Sequence, residues 1–175
     1  MNARSSFARA AGALLLALTG CPSSTAGADA ASDPALDPVE SEAIYQLNRI
    51  REDAGIAATV IVCTSLNAAA SGHSDDMRNK GYLKDTAPDG STVRTRSCSA
   101  GYQPGCADAT SMGELVASGV DDGKGVIDEW ATNPDAKAVM LNPAFVAAGI
   151  GRAVSDDETS WWTLDMSGSD DPSCK

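Results

Sequence analysis

The chain has 175 residues, a length that fits one domain with appendages. Its hydrophobic content of 43% and charged content of 21% are ordinary for a globular protein and argue against a chain that is disordered throughout. The formal net charge is −11, and no basic stripe exists that could bind phosphates, so a nucleic-acid-binding surface is excluded. The same acidic balance argues against electrostatic adhesion to anionic lipid.

The first 20 residues are typical of an export signal. Arg4 and Arg9 provide a basic beginning, and the apolar run that follows is too short to span a bilayer comfortably. The tetrad LTGC then ends at Cys21 and resembles the lipobox of bacterial lipoproteins, in which this cysteine receives a diacylglyceryl thioether. The alternative is an ordinary secretory signal cleaved after the small residues 26–28. We predict a lipoprotein signal peptide over 1–20 and lipidation of Cys21, with export in either case.

The next segments are a tether and the beginning of a folded domain. Ser, Thr, Ala, Gly, Asp and Pro dominate residues 21–38, which predicts a flexible tether, and residues 39–175 are expected to form one domain. Apolar positions at helical spacing predict a first helix over 39–54, ended by Gly55. The β-branched run ATVIVC at 58–63 predicts either a short strand or an extended approach to the next helix.

The stretch 66–91 has the strongest local pattern. Apolar or small residues at three- and four-residue steps predict a helix that ends at Lys80, where Gly81 supplies the stop. The only histidine, His73, falls within the apolar stripe, so we expect it to pack and to make one or two hydrogen bonds rather than to act as a base. Residues 87–90, APDG, predict a turn.

The second half of the chain changes from loop to helix to hairpin. Residues 91–108 predict a polar, disulfide-clamped loop. The elements expected after it are a short apolar element at 112–117, a helix around Trp130 that stops by Pro134, a further turn at 137–141, and a β-hairpin with strands at 148–154 and 160–166. Of the adjacent Trp161 and Trp162, we expect one in the core and one at the surface. Helices interleaved with few strands predict an α+β domain or a layered α-β-α domain.

Four cysteines follow Cys21, an even number that indicates two disulfides in an exported chain, with three pairings open. Cys98 and Cys106 enclose a short loop with glycine and proline that closes easily, which leaves Cys63 with Cys174. A bridge of that span would contribute ~2–4 kcal/mol by restricting the unfolded chain. A metal site is the weaker interpretation, because the cysteine spacings do not match paired zinc ligands and the single histidine lacks a partner.

Several segments resemble, in their order and spacing, the bacterial lipoprotein branch of the CAP superfamily (cysteine-rich secretory, antigen 5, pathogenesis-related), also called the SCP domain. The matching segments are LNRIREDAGI at 47–56, the AxxHSxDM-like run at 70–77, GYLKDTAPDGST at 81–92, GELVASG at 113–119, VIDEWATNP at 126–134, MLNPAFVAAGIGRAV at 140–154 and WWTLDMSG at 161–168. The resemblance implies a three-layer α-β-α sandwich with a central cleft, here stabilised by disulfides.

The resemblance also implies a site of two histidines and two acids that can bind a divalent metal. Asp85 stands at the position of the first histidine, and Ala136 stands at the position of the second. Glu114, in Gly-Glu-Leu, matches one acid, while Asp128 and Glu129 are the nearby candidates for the fourth position. Both histidines of the family are therefore replaced.

The carboxylates Asp85 and Glu114 leave three interpretations open. They could hold a hard cation such as calcium weakly, or form an acid pair with one raised pKa as in a hydrolase. In the third interpretation the cleft has drifted and Glu114 hydrogen-bonds backbone amides.

We predict no resident cofactor and a monomeric, non-catalytic surface binding or interaction module for a hydrophobic, peptide or protein ligand. It contacts a membrane only through the lipid anchor, facing the periplasm or the cell surface, or is secreted if the anchor is unused. The alternatives are a hydrolase or divalent-cation-dependent protein that uses Asp85 and Glu114, and a purely structural envelope protein.

Overall fold

A computed structural model describes residues 36–57 and 59–175. The predicted signal peptide, Cys21 and all but the end of the predicted tether lie outside these residues. The helices are α1 (Pro38–Asp53), α2 (Thr64–Lys80), α3 (Val93–Ser99), α4 (Gly123–Thr132) and α5 (Pro134–Met140); the strands are β1 (Ile61–Val62), β2 (Met112–Ser118), β3 (Ala147–Val154) and β4 (Ser160–Ser167). Within the described residues, no helix combines the length and the apolar character that crossing a membrane requires.

The four strands form one sheet in the order β1-β3-β4-β2. β1 pairs with β3 in parallel, while β3 with β4 and β4 with β2 are antiparallel. β2 is therefore an edge strand. The register places Glu114 of β2 opposite Asp165 of β4, and Asp165 opposite Gly149 of β3. Directly opposed residues project to the same face of a sheet, so both carboxyl groups lie on one face.

Helix α2 lies very close to that face of the sheet. A Cβ atom built on Gly149 would lie 2.2 Å from the backbone carbonyl carbon of Leu66, and one on Gly151 would lie 2.2 Å from the backbone nitrogen of Ser71. Any side chain at these two positions would push the helix away. The glycines of β3 thus set the distance between α2 and the sheet.

The opposite face carries the main hydrophobic core. Helices α1, α4 and α5 cover it with apolar side chains that meet those of β3 and β4. Trp162 is fully buried there, and its Nε1 donates to the backbone oxygen of Val120. Trp161 is only partly buried, which confirms the expected division of the pair. With α2 and α3 on the other face, the fold is the three-layer α-β-α sandwich predicted from the sequence.

A buried cation fixes the end of α5. Arg51 of α1 is fully buried, and its guanidinium donates to the backbone oxygens of Met140 at 2.7 Å, Asn142 at 3.1 Å and Phe145 at 2.7 Å. Burial lowers the pKa of Arg51. Because carbonyl groups at the C-terminal end of a helix lack intrahelical donors, the guanidinium satisfies groups that would otherwise be buried without partners.

Most of the predicted elements are confirmed. The first helix, the helix that ends at Lys80, the short strand in ATVIVC and the C-terminal hairpin are all present. Gly81 ends α2 with a φ of 68° in the left-handed region, as its position indicated. Both disulfides, Cys63–Cys174 and Cys98–Cys106, are also confirmed.

One element was predicted wrongly. Residues 91–108 are not a continuous loop, because they contain α3 and a 3-10 turn at Gln103–Cys106. Helix α3 begins with a reciprocal cap, in which Thr92 and Thr95 each accept a hydrogen bond from the backbone N–H of the other. Only Ser97 of this short helix is buried, so no apolar periodicity marks it in the sequence.

Candidate functional site

A cleft of about 520 Å³ opens where the loop 81–92 faces helices α4 and α5 across the edge strand β2. Its floor and inner wall are apolar, formed by Leu115, Val116, Trp130, Ala136 and Val139. Its rim is polar and is formed by Lys84, Asp85, Asn133 and Asp135. A smaller pocket of about 280 Å³ adjoins it, since both are lined by Asp85 and Glu114.

The loop that forms one wall of the cleft is held by His73. The histidine is fully buried, and its Nε2 lies 2.9 Å from the backbone oxygen of Lys84. A carbonyl oxygen only accepts, so Nε2 carries the proton. Burial lowers the pKa of His73, although the negative charge of Glu114 acts in the opposite direction. The expectation that this histidine packs and makes a hydrogen bond is confirmed.

An ion pair joins α3 to the edge strand. Nη2 of Arg96 lies 2.5 Å and 2.7 Å from the two carboxylate oxygens of Glu114, and these side chains are only 12% and 3% exposed. The same guanidinium donates to the backbone oxygens of Asp85 and Ser91, both at 2.8 Å. It therefore binds the cleft loop to β2. The interpretation in which Glu114 accepts from backbone amides is wrong, because its partner is Arg96.

A second carboxyl group lies behind this ion pair. Asp165 is fully buried opposite Glu114, and neither of its side-chain oxygens has a hydrogen-bond partner among the residues that the structure describes. Burial, and secondly the negative charge of Glu114, raise the pKa of Asp165 well above its usual range, while Arg96 acts in the opposite direction. Removal from water disfavours the ionised form of an acid. The structure thus places a buried carboxyl group, whose ionised form is disfavoured, directly opposite the carboxylate of Glu114.

The structure brings Asp85 and Glu114 to the same cleft but gives them different partners. Oδ1 of Asp85 accepts from the backbone N–H of Thr86 at 2.7 Å, at an exposed position. The carboxyl group that lies directly opposite Glu114 in the sheet is that of Asp165, not that of Asp85. Asp128, a candidate for the fourth position, instead pairs with Lys124 on the exposed side of α4.

Two other expectations concern the family's metal site. Glu129, the second candidate for the fourth position, is exposed on α4 and does not line the cleft. Ala136 does line it, so the position of the family's second histidine is a small apolar side chain that leaves space. In the part of the chain with described coordinates, no group of three or more His, Cys, Asp or Glu side chains is arranged to hold a metal ion.

Sequence reasoning missed Arg96 and Asp165. Trp162, Leu164 and Met166 alternate along β4 towards the main core, so the acid at 165 falls on the opposite face of a strand buried on both sides. An acid in such a strand is a signal that could have identified it. No comparable signal marks Arg96, because the short helix that carries it lacks a pattern.

Comparison with known proteins agrees with this architecture. The family model described as "Cysteine-rich secretory protein family" (CAP) matches residues 44–166. An outer surface protein from Borrelia burgdorferi has a similar structure, with a TM-score of 0.61, 15% identity, and coverage of 71% of this chain and 87% of that one.

Two further solved structures share the fold. One is an extracellular protein containing an SCP domain from Bacillus anthracis, with a TM-score of 0.58, 24% identity and 75% of this chain covered. The other is a cysteine-rich secretory protein from Staphylococcus aureus, with a TM-score of 0.52, 13% identity and 74% covered. This chain spans only 43% and 38% of those two proteins. A search of curated proteins found no match. Since the family match covers most of the chain and the cleft lies where the family's motifs meet, the chain belongs to the cysteine-rich secretory protein (CAP) family.

Proposed function

We propose that the protein is an exported, monomeric and non-catalytic binding module whose ligand site is the cleft beside β2. The observation that carries this proposal is the neutralisation of Glu114 by Arg96 in a cleft that stays open and apolar. Ligand sites are typically concave and mostly apolar, with a few polar groups that orient the ligand. The cleft has this composition, since its floor is apolar, Glu114 is paired with Arg96, and the remaining polar side chains lie at its rim.

The same contacts disfavour a metal centre or a carboxylate hydrolase. Metal ligands must be deprotonated and free to coordinate, whereas both oxygens of Glu114 accept from Arg96, and burial raises the pKa of Asp165 and so disfavours its ionised form. The guanidinium also places a positive charge where a divalent cation would have to approach. An acid pair for hydrolysis would need Asp85 and Glu114 to act together, but each of these carboxylates has its own partner.

A tryptophan placed inside the cleft is expected to abolish binding of an apolar probe. Nile red, a neutral dye that fluoresces in apolar sites, should bind the unmodified protein saturably. Ala136→Trp fills the space that the small side chain leaves and should remove the saturable fluorescence. Ala138→Trp is the matched control, because Ala138 lies on the same helix but is exposed and does not line the cleft.

The thermal midpoint, measured in parallel, separates the competing functions. A ligand that binds only the folded state raises this midpoint, so calcium should raise it if the cleft holds a cation. We expect no change with EDTA or calcium. A midpoint that falls with EDTA and recovers with calcium would replace the binding module with a cation-dependent protein, and hydrolysis lost in Asp85→Asn with Glu114→Gln would make it an enzyme.

We further propose that Cys21 is lipidated and anchors the protein in the cell envelope. The tetrad LTGC supports this proposal, as do the descriptions of two structural relatives as outer surface and extracellular proteins. Two or more acyl chains hold a protein at a membrane stably, because each buried methylene contributes about 0.8 kcal/mol.

Labelling with radioactive palmitate in the expressing bacterium tests the anchor. We expect label on the unmodified protein and on the control Ser23→Ala, and none on Cys21→Ala. Equal labelling of Cys21→Ala, or its complete absence from all three proteins, would favour the ordinary secretory signal.

A further inference from the structure

The edge strand β2 directs unpaired backbone groups away from the sheet. In an antiparallel pair, alternate residues direct both their N–H and C=O groups at the partner strand, and the residues between them direct both groups away. Gly119 donates to Ser160 at 2.8 Å, which places the odd-numbered residues of β2 in the bonded set. Glu114 and Val116 therefore direct their backbone groups away from β4. The hydrogen bond from Nε1 of Trp130 to the backbone oxygen of Val116, at 3.2 Å, agrees with this direction.

Three of these outward groups lack a protein partner. Among residues 36–57 and 59–175, nothing hydrogen-bonds the N–H or the C=O of Glu114, or the N–H of Val116. Donors and acceptors in this alternation match the edge of another extended chain. An apolar tail or a ring could fill the cleft, but it would cover these groups without satisfying them. The edge thus favours a polypeptide as the occupant.

The two walls of the cleft differ in chemistry on either side of this edge. Successive side chains of an added strand would point alternately towards α5 and towards the cleft loop. On the α5 side they would meet the apolar surface at Ala136 and Val139. On the loop side they would meet the exposed carboxylate of Asp85, and Asp135 adds a second acid to the rim. The rim cation is Lys84, while the nearby charge of Arg96 is paired with Glu114. The net charge of the chain, −11, also favours a cationic partner.

We propose that the cleft binds an extended peptide segment, which adds to β2 as a further strand. An apolar side chain of the peptide enters the space beside Ala136, and a neighbouring basic side chain meets Asp85. This inference rests on the proposed function, because it requires the cleft to be a binding site. It adds the class of ligand and the backbone groups that recognise it.

The probe is a capped hexapeptide of alternating lysine and valine, titrated into the full-length protein by calorimetry. Val116→Pro removes the outward N–H while the bonds to β4 stay intact, since position 116 does not donate to that strand. We expect binding about tenfold weaker in Val116→Pro and unchanged within about twofold in the control Val116→Thr. In the unmodified protein, bound peptide should slow amide hydrogen exchange at Glu114 and Val116, a measurement that does not depend on the folding of any variant.

Three outcomes would overturn the inference. The first is equally tight binding of a hexapeptide methylated on its backbone nitrogens, and the second is unchanged exchange at both amides with peptide bound. In the third, the hexapeptide fails to bind while Nile red still binds and Ala136→Trp still excludes it. In that case the cleft remains a binding site and only the strand pairing fails.

Failure of both probes, the hexapeptide and Nile red, would remove the proposed function as well. A glutamate-valine hexapeptide that binds as tightly as the lysine-valine peptide would overturn the assignment of a basic partner.

Discussion

Replacing Arg96 with methionine is expected to destabilise the protein by about 3–5 kcal/mol at neutral pH, the usual cost of removing one partner of a buried ion pair. Glu114 would then lie next to Asp165 without a cation, with its side chain only 3% exposed. The hydrogen bonds from the guanidinium to the cleft loop would be lost as well. Urea unfolding followed by circular dichroism measures the free energy of unfolding of both proteins.

The pH dependence of that difference identifies its electrostatic part. The pKa of Asp165 is raised above its ordinary value of 3.8, so the stability that protonation of Asp165 contributes is fully present below that pH. It is lost as the pH rises through the raised pKa. Removing Arg96 takes away the one cation that opposes this shift. The cost of Arg96→Met should therefore be smallest near pH 4 and should grow towards neutral pH.

Two further variants test whether the charges are the cause. In the double variant Arg96→Met with Glu114→Leu, the uncompensated carboxylate is absent, so most of the lost stability should return. Asp165→Asn replaces the acid with a side chain that does not ionise, so it should remove the decline in stability with rising pH that Asp165 causes. A cost of Arg96→Met that is the same at pH 4 and pH 7, and that persists in the double variant, would show that the contribution of Arg96 is packing alone.

The second large effect is expected at Gly151. In Gly151→Ala the new Cβ atom would lie 2.2 Å from the backbone nitrogen of Ser71, so helix α2 must move off β3. We expect a loss of about 3 kcal/mol or more, at the upper end of what overpacking a core costs. Chemical denaturation measures this loss in the free energy of unfolding.

Gly72 provides the matched control on α2, the helix that Gly151 contacts. A Cβ atom there meets nothing within 4 Å, and the residue is exposed. Alanine is preferred over glycine in a helix interior, so Gly72→Ala should gain about 0.5–1 kcal/mol. Opposite signs for the two substitutions would confirm that the close contact with α2, rather than the replacement of glycine by alanine as such, decides the outcome at Gly151. Equal losses at both positions would contradict this explanation.

Much of the fold could be predicted because its signals are local. The apolar stripe of α2 and the stop at Gly81 identify a helix within one stretch of chain, and the C-terminal hairpin shows in the same way. Helix α3 lacks such a signal, since it is stabilised by the reciprocal cap of Thr92 and Thr95 and by the disulfide Cys98–Cys106. Those contacts do not produce a hydrophobic period.

The candidate site could be predicted only in part, for a different physical reason. The motifs place Asp85 and Glu114 on the cleft, as the structure shows. The partner of Glu114 depends on which side chains the fold brings together, and Arg96 precedes it by 18 residues on another element. Asp165 joins the pair only through the register of β2 with β4. Pairings of this kind depend on tertiary structure, which a linear pattern does not contain.

The disulfide between Cys63 and Cys174 closes a covalent ring whose ends are 111 residues apart. The cleft residues all lie within that ring, from His73 on α2 to Asp165 on β4. A protease that cuts the chain once in the exposed loop 81–92 would therefore leave the two fragments covalently joined, and both walls of the cleft would stay attached to the same molecule. With this disulfide formed, a single cut between the two cysteines would open the chain without releasing a piece of it.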